Sequence, residues 1–248
     1  MKADVFIPCF IDQLKPETAR NIFAVLNHLG VETNYPEQQT CCGQVAFNSG
    51  FWGEARQLGE KFIHDFPGDN KVIIPSASCA HMIRFHYNRF FHNTSVHLEY
   101  KKLQNRAIEL TDFIVNIMKV ESWPGKFNAK VTIHDSCSAI RDYGLNQEPR
   151  KLLGMVEGIE VLEMESSTAC CGFGGSFSVK FPQLSVDMAL EKLENAVATG
   201  AEYLVTTEVS CLLQLESVAQ KNQIAIKIAT LADILAWSLQ NYSNNNFQ

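Results

Sequence analysis

Eight cysteines fall into two sets of four with the same order and nearly the same spacing, a repeat that few folds can accommodate. The first set is Cys9, the adjacent pair Cys41-Cys42, and Cys79; the second is Cys137, the pair Cys170-Cys171, and Cys211. Cys9 to Cys41 is 32 positions and Cys137 to Cys170 is 33; Cys42 to Cys79 is 37 and Cys171 to Cys211 is 40. No cysteine is left over. A duplicated four-thiol pattern predicts two copies of one site, each able to supply a four-coordinate shell for a metal or cluster. It also divides the 248 residues into a first unit, 1–125, a second unit, 126–240, and a polar tail, 241–248 (NYSNNNFQ).

Short apolar, β-rich runs precede a cysteine four times: Val5-Phe6-Ile7 before Cys9, Val72-Ile73-Ile74 before Cys79, Val131-Thr132-Ile133 before Cys137 and Tyr203-Leu204-Val205 before Cys211. Runs of this length and apolarity fit strands covered on both faces. Helical stripes lie between them. Ile22, Phe23, Leu26 and Leu29 form one, with Pro16 in its first turn and Gly30 as its stop; Met188, Ala189, Leu193, Ala196 and Val197 form the other, stopped by Gly200. Strands alternating with helices predict an α/β fold of two pseudo-symmetric units. Each has a mostly parallel sheet and carries its four-cysteine site at the carboxyl edge, where open α/β sheets bind ligands. A third helical stripe, about 97–119, runs through Leu103, Ala107, Leu110, Ile114 and Ile117 and ends at Trp123-Pro124-Gly125, which marks the boundary between units.

One isolated cysteine is usually a buried small hydrophobe. Two Cys-Cys-Gly triplets at matched offsets point instead to ligation by Cys9, Cys41, Cys42 and Cys79 and by Cys137, Cys170, Cys171 and Cys211. Neighbouring thiolates on a turn can both reach a polynuclear centre, and the following glycine lets backbone N–H groups approach the sulfurs. Gly43 plays that part in the first unit, and Gly172, Gly174 and Gly175 in the second, whose richer glycine run Gly172-Phe173-Gly174-Gly175-Ser176 predicts the more strongly tuned centre. That run is not a nucleotide motif: Phe177 stands where the last glycine of G-x-G-x-x-G belongs, and no Lys-Ser or Lys-Thr pair follows. His134 and His81 are each near a cysteine and are either extra donors or, more ordinarily, structural. Asp135, Arg141 and Asp142 flank the end of the third strand, and Arg141 is either a counter-charge for a cluster or part of an ordinary surface ion pair. No hydrolase or metalloprotease motif is present.

A net charge of −6 lacks the basic concentration that nucleic acid requires. No run of 18 apolar residues exists to form a membrane span, and MKADVFIPCF reads as a strand and not a signal peptide. The expected location is therefore cytoplasmic, where thiols serve as ligands or redox groups more often than as disulfides.

Cys9…Cys41-Cys42-Gly43…Cys79 and His134-Asp135-Ser136-Cys137…Cys170-Cys171-Gly172-Phe173-Gly174-Gly175…Cys211 resemble the duplicated cysteine-rich (CCG) domain. That domain occurs in a subunit of heterodisulfide reductase and in the iron–sulfur subunits of glycolate and glycerol-3-phosphate dehydrogenases. At this length the chain is most similar to the lactate utilization protein A family, over roughly residues 3–235. The resemblance implies an iron–sulfur electron-transfer subunit of an L-lactate-oxidising complex, with a ferredoxin-type iron–sulfur subunit and a third small subunit as partners. Any membrane association would then be peripheral and through those partners. In the heterodisulfide reductase version each unit ends in Cys-x-x-Cys. Here Met82 and Gln214 take the fifth position, so four thiols suit a [4Fe–4S] cubane or one zinc per unit, and disulfide reduction does not carry over. Two other readings remain beside electron transfer: a scaffold subunit with structural zinc sites of four cysteines each, and a thiol–disulfide oxidoreductase subunit.

Overall fold

The computed structural model describes residues 1–245. Among these, eight strands form two separate sheets of four, and every pairing is parallel. The first holds β1 (Lys2–Val5), β2 (Glu32–Asn34), β3 (Lys71–Ile74) and β4 (Ala107–Glu109) in the order β2-β1-β3-β4. The second holds β5 (Lys126–His134), β6 (Glu157–Val161), β7 (Tyr203–Thr206) and β8 (Lys227–Thr230) in the order β6-β5-β7-β8. The two sheets thus repeat one topology. The four sequence-predicted strands are the two central strands of each sheet, where both faces are covered and the residues are apolar throughout.

Between the central strands the chain direction of the crossovers reverses. The first sheet reaches β2 on one side and β3-β4 on the other, and the second sheet does the same. Cys9 follows β1, Cys79 follows β3, Cys137 follows β5 and Cys211 follows β7, so every set straddles the switch point at the carboxyl edge of its sheet. Proline opens both of the long helices predicted from the sequence, Pro16–His28 and Pro182–Ala198, and Gly30 (φ +70°) and Gly200 (φ +75°) end them in the left-handed region. Ile22 and Leu26, and Ala189, Leu193 and Ala196, are fully buried, whereas Val197 lies on the exposed side.

One expectation is corrected. The helix foreseen over about 97–119 is not continuous: it stops at Arg106, and Ala107–Glu109 pair with β3 as strand β4 before a helical turn resumes at Leu110. Apolar residues three or four apart serve helix and buried edge strand equally here, and burial of Ala107, Ile108 and Glu109 on both faces selects the strand. The last helix runs Leu231–Asn245, into the polar segment; 246–248 lie outside the described residues.

That last helix packs on Pro16–His28 of the first unit, and one apolar core continues across both units through Ile11, Ile22 and Val25 to Leu231, Ile234 and Leu235. Among the described residues no helix is long and apolar enough to cross a membrane.

Candidate metal centre

In the first unit Cys9 Sγ lies 3.8 Å from Cys41 Sγ, and Cys42 Sγ lies 3.2 Å from Cys79 Sγ. Cys9 opens a short helix after β1, and Cys79 sits in the helix Ala77–His81 after β3, with Ser76 Oγ accepting the Cys79 N–H. The Cys41-Cys42 pair comes up between them on a loop that must turn at Gly43 (φ +83°), whose N–H donates to Cys41 Sγ at 3.3 Å. The second unit repeats the turn at Gly172 (φ +82°), with its N–H on Cys170 Sγ at 3.4 Å. A Cβ on Gly172 would stand 2.3 Å from the Ser185 carbonyl oxygen, so only glycine fits. The glycine N–H groups recorded on sulfur are therefore one per unit; Gly174 and Gly175 line the cleft wall instead.

All eight cysteines line one cleft of about 290 Å³ between the units. The sequence predicts two sites; the fold makes their mouths face each other. All eight are free thiols, with Cys42, Cys79, Cys171 and Cys211 buried and the other four half-buried. Hydrogen bonds from Cys42 and Cys9 hold the Cys41 thiol down to about 3, whereas Cys9 and Cys42, each bonded to Cys41, are pushed up. Packed thiols cannot all ionise without a cation among them. A cation is what this donor set fits: convergent thiols, backbone N–H groups aimed at sulfur, and room between the sets.

Several groups that the sequence did not single out complete the cleft. Glu208, three residues before Cys211, accepts hydrogen bonds from Ser78 N–H (2.8 Å) and Ser76 Oγ (3.0 Å) of the other unit. Ser76 is itself three residues before Cys79, so equivalent positions of the two repeats touch, as they do near a pseudo-two-fold axis. Burial lifts the Glu208 carboxyl to about 7 against those donors. The matched offset was visible in the sequence; nothing there showed that the two positions meet. Lys192 is buried in the second unit and donates to the Ser166 and Ser167 carbonyls at 2.6 and 2.9 Å, which holds the loop leading to Cys170.

The polar residues flanking the cysteines divide. His81 lines the cleft, one ring nitrogen 2.8 Å from the Asp142 carbonyl oxygen. Asp135 pairs with Arg150 through two bonds of 2.9 and 2.8 Å, and Arg141 donates to the Thr168 carbonyl at 3.4 Å. Gln214, at the fifth-thiol position, is tied to Ser185 Oγ at 2.9 Å, and Met82 is buried in the apolar core. His134 is buried, neither ring nitrogen has a hydrogen-bond partner of ordinary geometry, and burial together with the Lys192 charge lowers its pKa to about 3.

The comparisons with known proteins agree with this geometry. The family model described as a cysteine-rich domain, CCG, matches twice, over residues 3–84 and 131–216. Lactate utilization protein A 2 of Bacillus cereus (strain Q1) is 36% identical over 240 residues, covering 96% of this chain and 99% of the relative. Lactate utilization protein A 1 of Bacillus mycoides (strain KBAB4) is 35% identical over 237 residues, covering 95% and 96%. Among solved structures, a hypothetical protein from Helicobacter pylori shares the fold with a TM-score of 0.65 at 10% identity; the alignment covers 98% of this chain and 51% of that one. The chain carries two copies of the cysteine-rich CCG domain and belongs to the family of lactate utilization protein A.

Proposed function

We propose that this chain is the iron–sulfur electron-transfer subunit of an L-lactate-oxidising system. The observation that carries the reading is the convergence of both cysteine sets on one cleft. The names of the relatives point to lactate utilization and to a system of several subunits. Cys9, Cys41, Cys42 and Cys79 would hold one centre, and Cys137, Cys170, Cys171 and Cys211 the other, each of the [4Fe–4S] type. When bound, such a cluster accepts and passes single electrons. The protein's own contribution is to hold eight unpaired thiols facing one cleft and to aim the Gly43 and Gly172 N–H groups at sulfur. No Cys-x-x-Cys-x-x-Cys run exists in the chain, so relay clusters come from a ferredoxin-type partner, with a third small subunit completing the assembly. The expected site of action is the cytoplasm.

Anaerobically purified protein should be brown, absorb near 400 nm, and carry about four irons and four sulfides per occupied set. Cys41→Ser should lower iron content and lactate-dependent reduction in the assembled system. A colourless protein with stoichiometric zinc would favour the scaffold reading, which one observation supports: the His134, Cys171 and Cys211 donor atoms lie within 4.8 Å of one another, a mixed N/S set that zinc also accepts.

A further inference from the structure

The two units differ in what lies behind the buried sulfur pair. Strand register aligns them: Val5 pairs with Ile73 in the first sheet and Ile133 with Val205 in the second, so Phe6 and His134 occupy the same position at the end of the first strand of each repeat. Phe6 sits edge-on to Phe62 with ring centroids 4.8 Å apart, and both belong to the apolar cluster that contains Cys42 and Cys79. The second unit replaces this aromatic pair with polar groups. Ala55 faces Gly43 and Ser185 faces Gly172; seven residues further on stand Phe62 and Lys192 respectively.

His134 is 2% exposed, and neither ring nitrogen makes a hydrogen bond of good geometry; its polar neighbour, the Ser167 carbonyl, already accepts from Lys192 Nζ at 2.9 Å and Asp135 N–H at 3.2 Å. A buried imidazole without well-formed hydrogen bonds is destabilising, a penalty that an apolar side chain such as the phenylalanine of the first unit would avoid. What the ring does have nearby is sulfur: a ring nitrogen, Cys171 Sγ and Cys211 Sγ all lie within 4.8 Å of one another, and all three residues are buried. Ligand atoms around one small cation stand at comparable separations, since each is roughly 2.0–2.3 Å from the metal. Lys192, whose ammonium is committed to two carbonyls, donates nothing to the ring.

We propose that His134 is a direct ligand of the second centre, beside Cys171 and Cys211, so that the chain holds two centres with different donor sets. The first is all-thiolate. In the second a neutral imidazole takes the metal position that one of the four thiolates would otherwise fill, so the site carries one negative charge fewer and its reduction potential is higher if the metal is iron. This rests on the metal-binding reading above and names the donors within it. It also inverts the expectation from the glycine-rich loop, which had the second centre made distinct by backbone N–H groups.

The test uses the full chain, refolded or reconstituted anaerobically in two arms: ferrous iron with sulfide, and zinc alone. In the iron arm, pulsed EPR of the reduced protein reads nitrogen coupling, with unlabelled and 15N-histidine protein compared. In the zinc arm, X-ray absorption reads imidazole scattering. A directly bound histidine nitrogen in either arm is expected in the wild type, retained in the His81→Gln/His86→Gln double variant and lost in His134→Phe, which copies the first unit. Should His134→Phe fail to fold, the labelled wild type and the double variant still decide. All-sulfur coordination in both arms overturns the proposal while metal binding stands. A weak coupling of the kind given by an N–H hydrogen-bonded to sulfur overturns it equally. Zinc uptake without iron defeats the iron–sulfur reading and leaves His134 ligation readable, and failure to take up either metal defeats both.

Discussion

Gly172 and Gly175 stand three residues apart in one loop, both at positive φ (+82° and +61°) and Gly175 with ψ −109°, yet they do different things. A Cβ on Gly175 meets nothing within 4 Å, while one on Gly172 meets the Ser185 carbonyl at 2.3 Å. Gly175→Ala should therefore cost only the conformational strain of its glycine-specific backbone, roughly 1–3 kcal/mol, while Gly172→Ala adds to its own strain the movement of a backbone carbonyl and should cost more, roughly 3–5 kcal/mol. Urea midpoints of the two variants check the ordering. Lys192 makes a second residue-scale case. Its ammonium serves two carbonyls in a loop where Ser166 adopts φ +55°, so Lys192→Met strips both at once. A loss of about 2–3 kcal/mol in thermal stability, with weaker metal retention in the second set, is the expected result. Neither residue's role could be read from the chain, since each depends on a carbonyl brought from elsewhere in sequence.

Strand β4 carries the pH dependence at the scale of elements. Its last residue, Glu109, is buried and caps the following turn by accepting the Thr111 and Asp112 N–H groups, the latter at 3.1 Å. Burial raises its carboxyl from 4.5 to about 8 in spite of those donors. A raised carboxyl means the fold favours the protonated form. The stability it contributes is full below about 4.5 and is lost as pH rises through about 8. Melting temperature should fall between about pH 5 and pH 8.5, and Glu109→Gln should flatten that slope by a few kcal/mol equivalent. The start of the last helix supplies a second test. Thr230 Oγ1 accepts the Asp233 N–H at 3.1 Å, Asp233 accepts the Thr230 N–H at 3.1 Å, and Asn21 of the first unit donates to the same carboxylate at 2.8 Å. Asp233→Ala removes the cap and leaves Asn21 unsatisfied, so about 2–3 kcal/mol of stability should go, measurable by denaturant titration. Central strands were legible because they are apolar on both faces. The outer strands β2 and β6, with exposed or half-buried residues throughout, carry no such mark, and β4 was hidden inside a helical spacing.

Considered as a whole molecule, the two units are not independent. One core crosses between them, Lys15 meets Glu216 at 2.6 Å, and Glu208 is bound by the serines of the opposite unit. Unfolding should be a single cooperative transition, and residues 1–125 alone should lack a cooperative melt and fixed near-ultraviolet dichroism. Two separated transitions in calorimetry of the full chain would show that the shared core is not what couples them.

The duplication, the parallel α/β character of both units and the eight cysteines were all determined by the sequence alone, because thiol spacing and apolar strand runs are local patterns that survive without coordinates. Tertiary structure decided what those patterns do to each other. It turned two sites toward one cleft, brought Ser76 against Glu208, and put a buried imidazole behind one sulfur pair where the other has a phenylalanine. Such meetings depend on the packing of residues more than two hundred positions apart, such as Lys15 and Glu216 or Asn21 and Asp233, and spacing along the chain carries no information about them.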